Sequence, residues 1–236
     1  MKKFSAFVSL VSISFAGICD KVDLKKHVPV PSFRVESKRE IYGLCEMIIN
    51  INNQLIPVYA TKDFIISGEM FSYKKQITQE ILEKVRKEIT KRNLKKLEKL
   101  TYVSYKPQNV SDGKYFYFIS DPDCPYCNRI KKKVKELASK EGWEIRLIWY
   151  PLPFHPYAKQ KAISFLCENK TFEDYLEGNY GKKQCDKGKE AIDKNLRTLS
   201  FVRGTPTFIF PDGDVIVGAN IKRLEQKLKG GNDAGF

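Results

Sequence analysis

Histidine is nearly absent from this chain: His27 and His155 are the only two among 236 residues. There is one Cys-x-x-Cys pair, at Cys124 and Cys127, and no second such pair or His-x₃₋₅-His to complete four ligands, so no metal is expected. No later segment approaches the ~20 consecutive apolar residues a bilayer span needs. Acidic residues are in deficit, with 28 Asp and Glu against 42 Lys and Arg and a formal charge of +14. The excess base is spread along helical stretches and mixed with Glu, and no nucleic-acid motif appears, so nucleic acid is not expected as a partner. No internal repeat is present.

What remains is a chain able to bury a core, with 42% hydrophobic and 30% charged residues, and long enough for one or two domains. Lys2 and Lys3 precede an apolar run from Phe4 to Phe15, and Ser14-Phe15-Ala16 offers small residues at the −3 and −1 positions of a cut. This is the pattern of a secretory signal peptide over residues 1–16, and it points to a periplasmic protein. An uncleaved anchor or a buried strand is the competing reading. A lipid-bearing Cys19 is disfavoured because Ile18 precedes it. Export makes the six cysteines, Cys19, Cys45, Cys124, Cys127, Cys167 and Cys185, candidates for disulfides. They are too sparse to replace a hydrophobic core.

Residues 17–72 read as a small β-rich domain. Glu46 to Ile51 and Ile56 to Tyr59 flank Asn52-Asn53-Gln54 as a hairpin, and Phe64 to Phe71 is a further strand. From Gln76 to Leu100, Ile77, Ile81, Val85 and Ile89 recur at four-residue spacing without Pro or Gly, which predicts a helix. Ten Lys or Arg against four Glu between Lys74 and Lys99 suit a linker helix over 73–100; packing of its second half on the following domain is the alternative. Residues 101–229 form the second domain. Strands are expected at 114–120, 143–150, 207–210 and 215–217, and helices at 125–140, 157–169, 172–178, 187–200 and 221–228. The order is that of a thioredoxin fold with a helical insertion, so the fold class is α+β. Residues 230–236 read as a loose tail.

Cys124-Pro125-Tyr126-Cys127 follows a strand and opens a helix. Unpaired amides at a helix start carry partial positive charge and stabilise a thiolate, which lowers a cysteine pKa from ~8.5 into the range ~3.5–7.5. Cys124 is therefore the expected nucleophile. Cys127, one turn later, is placed to resolve a mixed disulfide, and Pro125 is preorganised for the first turn. A plain structural disulfide is the bland alternative, but so small a loop makes a poor staple.

Asp121-Pro122-Asp123-Cys124-Pro125-Tyr126-Cys127 and Gly204-Thr205-Pro206-Thr207 resemble the active-site segment and cis-proline loop of the DsbC/DsbG group of periplasmic disulfide isomerases. Val58-Tyr59 followed by Phe64 to Phe71 is similar to the end of that group's N-terminal dimerisation domain. The resemblance implies that Pro206 is cis and beside the dithiol, and that Thr205 offers its backbone to an extended substrate; a trans proline opening a strand is the alternative. It also implies a structural disulfide between Cys167 and Cys185, against two free thiols. Cys19 and Cys45 could pair within the first domain, bridge subunits or stay free.

The resemblance implies a homodimeric thiol:disulfide interchange protein that isomerises or reduces wrong disulfides in unfolded or misoxidised exported proteins. A membrane thiol reductant would supply electrons, and no cofactor would be needed beyond the dithiol. A dithiol oxidase, a chaperone-like binding dimer and a reductase dedicated to one partner are the rival functions. One departure stands out. Thioredoxins carry a buried carboxylate six residues before the first cysteine, and here that position is Phe118, so the proton acceptor of Cys127 is open. Asp121 and Asp123 are nearer in sequence, with roles unassigned. His155 reads as a surface-loop histidine, with modulation of the thiols as the alternative.

Overall fold

The computed structural model describes residues 17–29, 32–100 and 102–230. The signal peptide expected over 1–16 and all but the first residue of the tail expected over 230–236 lie outside the described residues. The chain forms two compact units, one up to Val85 and one from Arg86.

In the first unit a 3₁₀ turn at Ile18–Lys21 and α1 (Leu24–His27) precede four strands. These are β1 (Arg34–Ile41), β2 (Leu44–Ile51), β3 (Gln54–Ala60) and β4 (Ile65–Ser67), paired antiparallel in that order. Asn52 and Asn53 both adopt positive φ, 49° and 64°, the conformation that a two-residue hairpin loop of this hand requires. The alternation of β2 sends Cys45, Met47 and Ile49 into a cluster with Cys19, Leu24, Val58 and Ala60. Its other face buries Glu46, Ile48 and Asn50. Cys19 and Cys45 are disulfide-bonded, which resolves the three alternatives for this pair in favour of a bridge within the unit. The strand expected from Phe64 to Phe71 is two pieces. β4 ends at Ser67, and Phe71–Ser72 (β5) pairs with Lys75–Gln76 (β6) as a separate ribbon.

The helix expected over 76–100 spans Ile77–Leu97 (α2). Ile77, Ile81, Leu82 and Val85 are buried, and the division between the units falls inside this helix rather than at its ends. Leu97 and Leu100 belong to the core of the second unit.

That unit runs β7 (Val103–Tyr105), β8 (Tyr115–Ser120), α3 (Pro125–Glu141), β9 (Glu144–Trp149), α4 (Ala158–Cys167), α5 (Phe172–Glu177), α6 (Asp186–Thr198), β10 (Thr207–Ile209), β11 (Val215–Val217) and α7 (Ile221–Leu228). The sheet order is β11-β10-β8-β9-β7, with β8 and β9 parallel and the other pairs antiparallel. Central β8 is buried on both faces, as a strand covered by helices on each side must be. Phe116 and Phe118 join Val134, Trp149, Phe165 and Leu224 on one face. Tyr117 and Ile119 join Leu97, Leu199 and Val202 on the other. The structure is thus α+β, with a thioredoxin-like sheet and a helical insertion, α4 to α6, in the second unit. This topology delivers the carboxyl end of β8 and the amino end of β10 to the same edge of the sheet.

Candidate active site

β8 ends at Ser120, and the next three residues turn the chain into α3. Cys124 is the N-cap of that helix and Pro125 its first residue. Asp121 shapes the turn. Its carboxylate is fully buried, and Oδ1 accepts from the backbone amides of Asp123 at 2.7 Å and Cys124 at 3.1 Å. Asn128 Nδ2 and the Tyr180 hydroxyl both donate to the Pro122 carbonyl, at 3.0 and 3.1 Å. Asp123 pairs with Lys161.

Cys124 and Cys127 are both free thiols, at 3% and 0% exposure. The Thr205–Pro206 bond is cis, and the Thr205 carbonyl accepts from the Cys124 thiol at 3.3 Å. Dithiol and proline loop, 81 residues apart, therefore meet at the sheet edge. Tyr126 projects outward, 55% exposed, with the Arg129 guanidinium 5.0 Å from its ring centre.

The two thiols differ in acidity. Cys124 is lowered to about 5: a hydrogen bond from the Cys127 thiol contributes most, opposed by burial and helped by Thr205 and by the backbone amides of Cys127 and Tyr126. The buried Thr205 hydroxyl has no other partner. Cys127 is pushed far up, by burial first and then by its hydrogen bond to Cys124. One sulfur thus carries the charge and the other holds the proton.

Phe118 is fully buried and stacks on Phe208, with centroids 5.0 Å apart. Phe118 therefore supplies no carboxylate to Cys127, and the polar groups that act on that thiol include the Ser120 hydroxyl and the Lys131 ammonium. Ser120 lies within hydrogen-bonding reach of Cys127 and lowers it, and its Oγ is 2.9 Å from the Tyr175 hydroxyl. Lys131, only 8% exposed, donates to the Tyr175 carbonyl at 2.8 Å and to Asn128 Oδ1 at 2.9 Å. Burial lowers its ammonium, and a charge formed on Cys127 would act to raise it. Sequence reading passed over Lys131, although its spacing of four from Cys127 puts it on the same helix face. Ser120 and Tyr175 are 55 positions apart, and no local signal joins them.

His155 is not the surface-loop histidine expected. Its ring is 18% exposed, and Nδ1 lies 2.9 Å from Asp121 Oδ2. The cause is Asp121, whose buried charge needs donors, and the loop after β9 passes within reach. Cys167 and Cys185 are disulfide-bonded, linking the end of α4 to the N-cap of α6. Among the described residues no cluster could hold a metal ion and no helix is long and apolar enough to cross a membrane.

Such an arrangement can carry out thiol–disulfide exchange. The family model described as Thioredoxin-like domain matches residues 104–230. No curated protein matches the chain. Among solved structures, a disulfide interchange protein from Neisseria gonorrhoeae is similar at 21% identity and TM-score 0.45, covering 54% of this chain and 95% of that one. Helicobacter pylori DsbG is similar at 19% identity and TM-score 0.39, covering 75% and 93%. A linker-deletion mutant of Proteus mirabilis ScsC is similar at 19% identity and TM-score 0.49, covering 65% and 87%.

Proposed function

This chain belongs to the thioredoxin-like family, and from that premise we propose that it is a periplasmic thiol–disulfide oxidoreductase that isomerises or reduces wrong disulfides in exported proteins. The observation that carries the reading is the Cys124 sulfur itself: a thiol lowered to about 5 at a helix start, against the Thr205 carbonyl of a cis-proline loop.

The Cys124 thiolate attacks one sulfur of a substrate disulfide. A Cys124–substrate disulfide forms, the substrate bond breaks, and the second substrate sulfur leaves as a thiolate. In isomerisation a substrate thiolate then attacks the mixed disulfide, forms a new pair and returns the Cys124 thiolate, with no net electron transfer. In reduction Cys127 loses its proton and attacks Cys124, which yields a Cys124–Cys127 disulfide and a reduced substrate. Two electrons from a membrane thiol reductant then restore the dithiol. Tyr126 and the backbone at Thr205 contact the substrate chain.

A homodimer formed through the first unit completes the reading. Its support is the exposed apolar side chains of that unit, Val35, Tyr42, Phe64, Ile66, Phe71 and Tyr73, a set that a second copy would cover. Stabilising the reduced form favours an isomerase, which must rest reduced, and equally raises the driving force of a dithiol oxidase. Refolding of a scrambled-disulfide protein, run beside a measurement of mass in solution, tests the proposal. A dimer that restores activity to the scrambled protein, and loses this with Cys124→Ala, is expected. A monomer without isomerase activity would overturn it.

A further inference from the structure

The Asp121 carboxylate is fully buried and has four hydrogen-bonding partners. Two are backbone amides of the dithiol turn, Asp123 and Cys124, on Oδ1. Two belong to the loop after β9: the Leu152 amide at 2.6 Å and His155 Nδ1 at 2.9 Å, both on Oδ2. A buried carboxylate persists only while such partners compensate it. Three of them are backbone and cannot be removed by substitution. The fourth is an imidazole, the one side chain among the four.

We infer that His155 is a positioning residue for the dithiol, acting through Asp121. The inference rests on the exchange function proposed above. The Nδ1 contact pins the loop bearing His155 to the turn bearing Cys124 and keeps the carboxylate turned toward the Cys124 amide. It also offsets a negative charge that otherwise opposes a thiolate one hydrogen bond away. The charged and titratable groups around this point are Asp121 from the end of β8, the Asp123–Lys161 pair from the turn and α4, the two thiols of the dithiol, and Tyr180 beyond Pro122. Lys161 is already paired with Asp123, and His155 is the side chain that contacts Asp121. The same loop carries Phe154, 71% exposed, whose ring packs edge-on against His155 at 4.6 Å. The pin therefore also holds the loop that carries this exposed aromatic.

The test is the pH profile of iodoacetamide alkylation of Cys124 in the full reduced chain, for wild type, His155→Ala and His155→Asn, with the alkylated residue identified by mass spectrometry. His155→Ala removes the donor, and the inflection for Cys124 rises by about 1 pH unit. Asn keeps a neutral N–H donor and holds the inflection within about half of that rise. An Ala profile that overlays wild type overturns the inference, and so does an Asn variant displaced as far as Ala. Circular dichroism identifies a misfolded variant, and if the Ala variant does not fold, the Asn profile decides: an inflection displaced by a full unit overturns the inference and a smaller displacement supports it. Alkylation needs no disulfide substrate, so an exchange-inactive wild type would sink the proposed function while these profiles still decide the role of His155.

Discussion

The division of charge between the two thiols has a consequence that opposes intuition. An acidity of about 5 at Cys124 leaves it almost fully ionised at pH 7, against about 3% for an ordinary thiol near 8.5, a gain of about 30-fold in thiolate. A weaker base is a weaker nucleophile. With a Brønsted coefficient of about 0.4–0.5 over 3.5 pH units the loss is about 40-fold. The two cancel at neutrality, and Cys124 should be alkylated there about as fast as free cysteine. At pH 5.5 the thiolate advantage is about 760-fold and the net rate advantage about 20-fold. Stopped-flow alkylation from pH 3.5 to 10 should therefore show an inflection near 5 for Cys124 and a low plateau above it. Cys127→Ala removes the thiol whose hydrogen bond contributes most to that acidity. A hydrogen bond to a charged group contributes ~1.5–3 kcal/mol, about 1–2 pH units, so the inflection should climb to about 6–7. An inflection above 8 in the wild type, or one that stays in place in Cys127→Ala, would refute the account of how the thiolate is held.

The remaining predictions concern potential and stability. A thiol whose pKa is lowered by folding adds stability to the reduced protein that is fully present above about 8.5 and lost as the pH falls through about 5. Between those values reduction takes up one proton, on Cys127, rather than two. The midpoint potential should fall by about 30 mV per pH unit there and about 59 mV below pH 5; a slope of 59 mV persisting to pH 8 would contradict the lowered Cys124. Cys167 and Cys185 are separated by 18 positions, and replacing both with Ala should cost about 3 kcal/mol, roughly 10 °C in Tm. Exchange activity per folded molecule should hold, since the bridge touches neither active thiol. A calorimetric midpoint equal to wild type would show that the packing of α4 on α6 suffices alone.

The sequence carried the second unit well because its signals are local. Cys-x-x-Cys before a helical stripe and the run of apolar residues in Tyr115–Ser120 each act within a few residues. It carried β1 poorly. Arg34–Ile41 is dominated by charge and mostly exposed or half-buried, so the strand exists by pairing with β2 rather than by its own pattern. β7 is three residues on a sheet edge and was equally silent. The same division runs through the site. Cys124 and Cys127 could be read from their motif, whereas the contacts of Asp121 with His155 and of Ser120 with Tyr175 join segments 34 and 55 positions apart. No periodicity links them. Asp121 was visible as an acid near the thiol, but only its burial turned a repulsive charge into the organiser of the turn.

The two closed bridges also bear on how the protein comes to be made. Six cysteines allow fifteen full pairings. The native chain uses two bridges that neither interleave nor nest, Cys19–Cys45 and Cys167–Cys185, with the working pair between them. A chain that emerges amino end first brings Cys45 to Cys19 before Cys124 has appeared, and that early bridge removes two competitors for the dithiol. Only the second bridge closes in the presence of a reactive neighbour, so the order of emergence cuts the fifteen full pairings to three among Cys124, Cys127, Cys167 and Cys185.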